Sequence, residues 1–168
     1  MRKILWLLVA VGALSACTYS LFINTYPHLK TVRIEPFENR STQYGIEQDV
    51  DETLSAKFQS GNLLKVEQND PDCTLSGKIV DYSNKIYSYN ANNQVREYEV
   101  KILFSVTVTD LVKSKVIYQN DQLLMRQAYL NPNVATDDTT EPLNEEDARA
   151  KIYEDLYDTI VKNTFQAW

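Results

Sequence analysis

The sequence predicts an α+β two-layer sandwich, and three observations predict it. Two stretches place apolar residues every three or four positions, the spacing of a helix that buries one stripe. Between them runs a long segment that alternates apolar and polar residues, as an antiparallel sheet does when one face is dry and the other wet. The order along the chain is β-α-β-β-β-α, which lets both helices cover the same dry face.

The first strand is expected from about Leu29 to Phe37, where the β-favouring Thr31, Val32 and Ile34 run up to Pro36. Proline lacks an N–H, so it suits a strand end or an edge. Glu38 to Thr42 is polar and reads as the connection to the first helix, with Asn39 or Ser41 satisfying exposed backbone groups, or else as a surface that contacts a partner. From Tyr44 to Ser60, Ile46, Val50, Leu54 and Phe58 form the apolar stripe, and Glu47, Asp49, Asp51 and Glu52 crowd the first turns, where the helix dipole favours negative charge. Ser41 or Thr42 is the expected cap, and Gly61 falls where a terminating glycine belongs.

Leu63 to Val66 is a short strand lead-in, and Asn69-Asp70-Pro71-Asp72 is turn chemistry. Two long β segments follow, Cys73 to about Tyr89 and Val95 to Asp110. In the second, Tyr98, Val100, Ile102, Phe104, Val106 and Val108 point one way, and Glu99, Lys101, Ser105, Thr107 and Thr109 the other. A two-residue turn at Asn92-Asn93 would pair Ile79 with Val106 and Gly77 with Val108. It would also set Asp81 against Phe104 on the dry face, so a bulge is expected near residues 81–84. The outer part of this hairpin, Ser83 to Glu97, is poor in aliphatic residues and is expected to project beyond the core. Leu111 to Ser114 makes the next turn. A strand from Val116 to about Met125 follows, with Val116 and Tyr118 on one face. Asn131 to Glu141 is a polar loop. The last helix starts with Asn144 as N-cap and carries Ala148, Ile152, Leu156 and Ile160 as its stripe, with Leu143 and Ala148 placed for a weak hydrophobic staple.

The N-terminus bears on compartment. Arg2 and Lys3 precede an apolar run from Ile4 to Ala13, too short for a spanning helix, which needs about 20 residues. Leu14-Ser15-Ala16-Cys17 closes it and resembles a bacterial lipobox, in which Cys17 becomes the acylated first residue, carrying chains such as palmitate. Residues 1–16 are then a signal peptide, 17–28 a lipidated tether and 29–168 a single domain. Thr18 stands where an Asp would retain an enteric lipoprotein in the inner membrane, so the outer membrane is expected. Removing the signal peptide takes Arg2 and Lys3 and no acid, leaving 15 basic against 23 acidic side chains. That balance disfavours nucleic acid as a partner.

Catalytic chemistry is sparse. The chain has one histidine, His28, read as a surface or satisfied residue. There is no nucleophile-elbow, phosphate-loop or zinc-protease motif, and the chain holds only four glycines. Asp137-Asp138 reads as a solvated loop and Glu145-Glu146 as helix N-terminal charge. With Cys17 acylated, Cys73 is left as a buried core thiol on a strand. No cofactor or metal is expected. Among the cations, Lys113 and Lys115 flank a turn, Arg96 and Lys85 lie near the hairpin tip, and Lys101 is on the wet face. Cations beside tyrosines on a projecting sheet can hold anionic sugars or phosphates.

Several features occur together and in order: the lipobox; the strand end T-V-R-I-E-P-F-E-N-R-S; the helix opening G-I-E-Q-D-V-D-E-T-L; V-R-E-Y at Val95; and the C-terminal helix. P-F-E-N also occurs in penicillin-binding-protein activators and curli-secretion-type lipoproteins, so order and length carry the likeness. On these the chain resembles the LptE family, lipopolysaccharide-assembly lipoproteins of the outer membrane. The resemblance implies two helices packed on one face of a mostly antiparallel four-stranded sheet, and no enzymatic activity. It implies a plug inside the LptD β-barrel translocon that assists the barrel's assembly and binds lipopolysaccharide. No motif of the family marks lipid contacts, so Lys113, Lys115 and Arg96 are the candidate lipopolysaccharide ligands on charge and topology alone. The alternative reading is an envelope lipoprotein that regulates a periplasmic partner such as a cell-wall synthase.

Overall fold

A computed structural model of the chain describes residues 25–133 and 144–166. Its strands are β1 (Thr31–Ile34), β2 (Glu38–Asn39), β3 (Lys65–Val66), β4 (Cys73–Tyr89), β5 (Val95–Asp110) and β6 (Lys115–Leu130). Its helices are α1 (Ile46–Ser60) and α2 (Glu145–Thr164). The α+β class with two helices holds, but the sheet is not a four-stranded, mostly antiparallel one: it has more strands, and parallel and antiparallel pairs are mixed. Six strands join in the order β3-β1-β4-β5-β6, with β2 also on β4. β1 runs parallel to both β3 and β4, β2 runs parallel to β4, and β4-β5-β6 is an antiparallel meander. The two extra strands have only two residues each, too few to leave a period-2 signature.

The first strand is shorter than expected because Pro36 interrupts it. Glu35 N–H still donates to Leu75 O, and the chain rejoins β4 two residues after the proline, with Asn39 opposite Ile79. Phe37, between these contacts, lays its ring over Gly77: a Cβ built there would come 2.2 Å from the ring. Only glycine fits beneath it.

The connection after β2 is structural, as its polar residues imply. Asn39 Nδ2 donates to Gln43 O at 2.8 Å and to Glu47 Oε2 at 2.6 Å, while its Oδ1 accepts from the N–H and Oγ of Ser41. That use of Ser41 explains a miss. The cap of α1 is Gly45 at φ 84, with no side-chain hydrogen bond, and neither Ser41 nor Thr42 serves. A left-handed φ is strained for any residue with a Cβ. At the other end Gly61 is the C-cap in right-handed geometry, and Asn62, at φ 52, makes the left-handed turn.

The stripes of both helices join one core with the inward row of the sheet. Ile46, Val50, Leu54 and Phe58 of α1 and Ala148, Ile152, Leu156 and Ile160 of α2 are buried, beside Val100, Ile102, Phe104, Val106 and Val108. Each of these side chains larger than alanine contributes on the order of 1.5–3 kcal/mol through burial. Phe58 meets Tyr157 edge-to-face at 4.9 Å, and Lys57 Nζ reaches Glu154 Oε1 at 2.7 Å, so the helices also fasten to each other. Asn144 caps α2 by accepting from Asp147 N–H at 2.9 Å. The expected staple residue Leu143 and most of the Asn131–Glu141 loop lie outside the described residues.

The β4–β5 register departs from the expected one by two residues at the base. Ile79 faces Phe104 and Gly77 faces Val106. A shift of two keeps every side chain on its face, so the dry and wet rows come out as read. The expected bulge exists slightly earlier, between Ile79 and Asp81, and sets Asp81 against Leu103 on the wet side. Two more irregularities follow near the tip. The tip is not a two-residue turn. Asn90 N–H donates to Gln94 O and Asn93 N–H to Asn90 O, with Asn93 at φ 56, which makes a three-residue loop. β6 runs five residues further than expected, ending in the buried Tyr129 and Leu130. A register shift between Val108 and Thr109 puts Val116 opposite Thr109 and Tyr118 opposite Val108, so these two face opposite ways.

Candidate functional site

Lys113 sits on the turn between β5 and β6, and Lys115 is the first residue of β6. Both are exposed, and neither has an ion pair among the described residues. Arg96 is at the far end of β5, half-exposed, with its Nε 3.7 Å from Glu97 Oε1. Lys115 pairs with Asp110, fourteen residues from Arg96 along an extended strand, so the two lie roughly 45 Å apart. Two of the three candidate cations therefore stand together and the third stands alone. Cys17 lies outside the described residues.

The base of that turn is fixed by a buried carboxylate. Asp110 is 1% exposed; its Oδ2 is 2.7 Å from His28 Nε2, and its Oδ1 accepts from Lys113 N–H at 2.9 Å. His28 is thus a satisfied residue, and among the described residues no hydroxyl or thiol is hydrogen-bonded to it. Nearby, the half-buried Asp72 holds the start of β1, accepting from Lys30 N–H at 2.7 Å and Thr31 N–H at 3.0 Å. Burial pushes the Asp110 carboxyl up, but the hydrogen bonds from His28 and Lys113 N–H and the adjacent positive charges outweigh it and hold it below the usual carboxylate range. A carboxyl lowered on folding stabilises the fold above its unfolded value of about 3.9, and that contribution is lost as pH falls through the folded value. Asp110→Asn is therefore expected to lose less melting temperature than the natural chain between pH 6 and pH 3. Equal acid losses in the two melts would detach this carboxyl from acid stability.

Sequence reasoning missed a polar hub at the other end. Glu145 accepts from Tyr82 OH at 2.5 Å, Asn84 Nδ2 at 2.8 Å and Arg149 Nη1 at 2.9 Å, and Asn84 also donates to Tyr129 OH. The hub ties the start of α2 to β4 and β6. Its visible signal was the Glu145–Arg149 spacing of four on a helix; the sheet partners had none. Beside it a cleft of about 200 Å³ lies between the helices, where Tyr153 OH and Arg149 Nε lack protein partners near Asp49, Glu52 and Glu146. Cys73 is fully buried, and burial pushes its thiol up to about 12. That suits packing and not redox chemistry.

The described residues therefore form a helix-backed sheet with Lys113 and Lys115 exposed at the β5–β6 turn and Arg96 at the opposite end of β5. The family comparison gives this class its place. The family model described as LptE, lipopolysaccharide-assembly, matches residues 29–166, and the chain belongs to that family. No curated protein matches the sequence. Among solved structures, the chain is similar to a hypothetical protein from Chlamydia trachomatis, at 12% identity and TM-score 0.54 over 79% of this chain and 94% of that one. It is also similar to an uncharacterized lipoprotein B from Nitrosomonas europaea (16%, TM-score 0.48, 80% and 81%). A third is the rare lipoprotein B from Shewanella oneidensis (16%, TM-score 0.41, 78% and 89%). At these identities the likeness concerns the fold alone.

Proposed function

We propose that this protein is an outer-membrane lipoprotein that assists lipopolysaccharide transport by plugging and supporting an LptD-type β-barrel and by binding lipopolysaccharide. The observation that carries the reading is the family match across residues 29–166. Acylated Cys17 is the membrane anchor, and the protein works through its surfaces without making or breaking bonds. The geometry supports a short-reach role. Thr25 N–H is hydrogen-bonded to Phe165 O, so the eight residues from Cys17 to Thr25 give at most about 28 Å of tether. A regulator of a cell-wall synthase needs a longer reach from the bilayer, which disfavours that alternative.

Lys113 and Lys115 are the proposed lipopolysaccharide-phosphate contacts, and Arg96, at the opposite end, is a separate one. Charges near an anionic lipid surface are worth about 1 kcal/mol each. Lys113→Glu with Lys115→Glu is therefore expected to weaken lipopolysaccharide binding by at least about thirtyfold, with the melting temperature nearly unchanged because both side chains are exposed. Unchanged affinity in a direct binding titration would return both lysines to ordinary solvated positions.

A further inference from the structure

The β5–β6 turn holds more than cations. Leu111 and Val112 at its crest are 41% and 60% exposed, and Val116 beside it is 47% exposed. Nothing in the core requires them: none belongs to the buried cluster. The sequence Leu111-Val112-Lys113-Ser114-Lys115 thus presents two apolar side chains at a turn with an ammonium on each side of Ser114. Lysines alone suit a phosphate on any lipid. An exposed apolar pair between a charged turn and a sheet suits the boundary of headgroups and acyl chains, where amphipathic segments bind.

The same turn is at the end of the sheet where the tether arrives. His28 and Lys113 N–H bind the two oxygens of one carboxylate, that of Asp110. Leu111 N–H donates to Asp72 O, and Asp72 in turn holds Lys30 and Thr31. Asp110 and Asp72 are thus engaged inward. Asp70 is exposed here, and so are Lys30, Lys113 and Lys115. The hairpin tip at Asn90–Gln94 lies about 50 Å away along β5, further than the tether extends.

We propose that the β5–β6 turn seats the protein on the phospholipid bilayer that holds its anchor, with Leu111 and Val112 entering the headgroup–acyl boundary and Lys113 and Lys115 pairing with lipid phosphates. The inference rests on the proposed anchoring through Cys17 and adds to it an orientation: the turn meets the membrane and the hairpin tip points away. Lipopolysaccharide reaching Lys113 and Lys115 then does so from within a lipid surface.

The test uses the full-length acylated chain in vesicles of phosphatidylcholine and phosphatidylglycerol, three to one, with no lipopolysaccharide and no barrel present. A polarity-sensitive fluorophore is placed on Val112→Cys in one preparation and on Ala91→Cys, at the hairpin tip, in another. Cys73 is fully buried and its thiol unreactive, so it is not labelled. The label at 112 is expected to shift to the blue and to be quenched by brominated acyl chains several-fold more than the label at 91. Lys113→Glu with Lys115→Glu is expected to reduce that quenching while the acyl anchor keeps the protein on the vesicle. Equal quenching at the two sites overturns the proposal. So does a blue shift at 112 that appears only with lipopolysaccharide micelles. Either outcome leaves the lipopolysaccharide-assembly reading intact, since that reading stands or falls on the barrel partner.

Discussion

Phe37→Ala is expected to cost about 4 kcal/mol of folding stability, among the largest effects of any single change in this chain. The ring is 3% exposed, lies over Gly77 and meets Phe104 edge-to-face at 6.4 Å. Truncating a buried phenylalanine costs about 3–5 kcal/mol, because the lost transfer energy adds to a cavity that closes only in part. Gly77→Ala attacks the same contact from below. Its methyl would need the space of the ring, which overpacks the site and costs about 1–3 kcal/mol. The two changes are coupled in a way that identifies the contact. With the ring gone, the methyl has room, so the double variant is expected to be more stable than the sum of the single losses predicts. Denaturant titrations of the four proteins measure this. Strict additivity would show that Phe37 and Gly77 do not share a contact.

The second large effect concerns the anchor. Expressed without its barrel partner, the Cys17→Ala variant is expected to move from almost wholly membrane-bound to almost wholly soluble, with no incorporation of a palmitate analogue. Acyl chains contribute about 0.8 kcal/mol per buried CH₂, and two or more give stable attachment where one is marginal. The exposed Leu111, Val112, Lys113 and Lys115 offer too little apolar surface to replace them. Fractionation and metabolic labelling read both outcomes. A variant that stays in the membrane fraction would show that Cys17 is not the anchor.

What the sequence made legible follows from the length of each pattern. The stripes of α1 and α2 and the alternation of β5 persist over many residues, and the buried residues coincide with them. β2 and β3 have two residues each and exist only because β1 and β4 offer edges to pair with. The hairpin register differs from the expected one by two because the tip loop has three residues instead of two and the Ile79/Asp81 bulge adds one more, while the two irregularities near the tip cancel; a bulge is a property of the pair of strands and not of either alone. The cap of α1 was misassigned because Ser41 was already committed to Asn39. The candidate site divides in the same way. Lys113 and Lys115 were legible as neighbours because they are adjacent in sequence. That Arg96 lies at the opposite end needed the strand length, and the sharing of Asp110 by His28 and the Lys113 turn needed the fold.

The proposed role is that of a lipid-anchored, helix-backed sheet acting inside or beneath a membrane barrel. The most direct measurement is to purify the acylated protein from its own membranes in mild detergent and identify what accompanies it. A large outer-membrane β-barrel in near-equal amount is the predicted result. Recovery of cell-wall synthases alone, with no barrel, would contradict it.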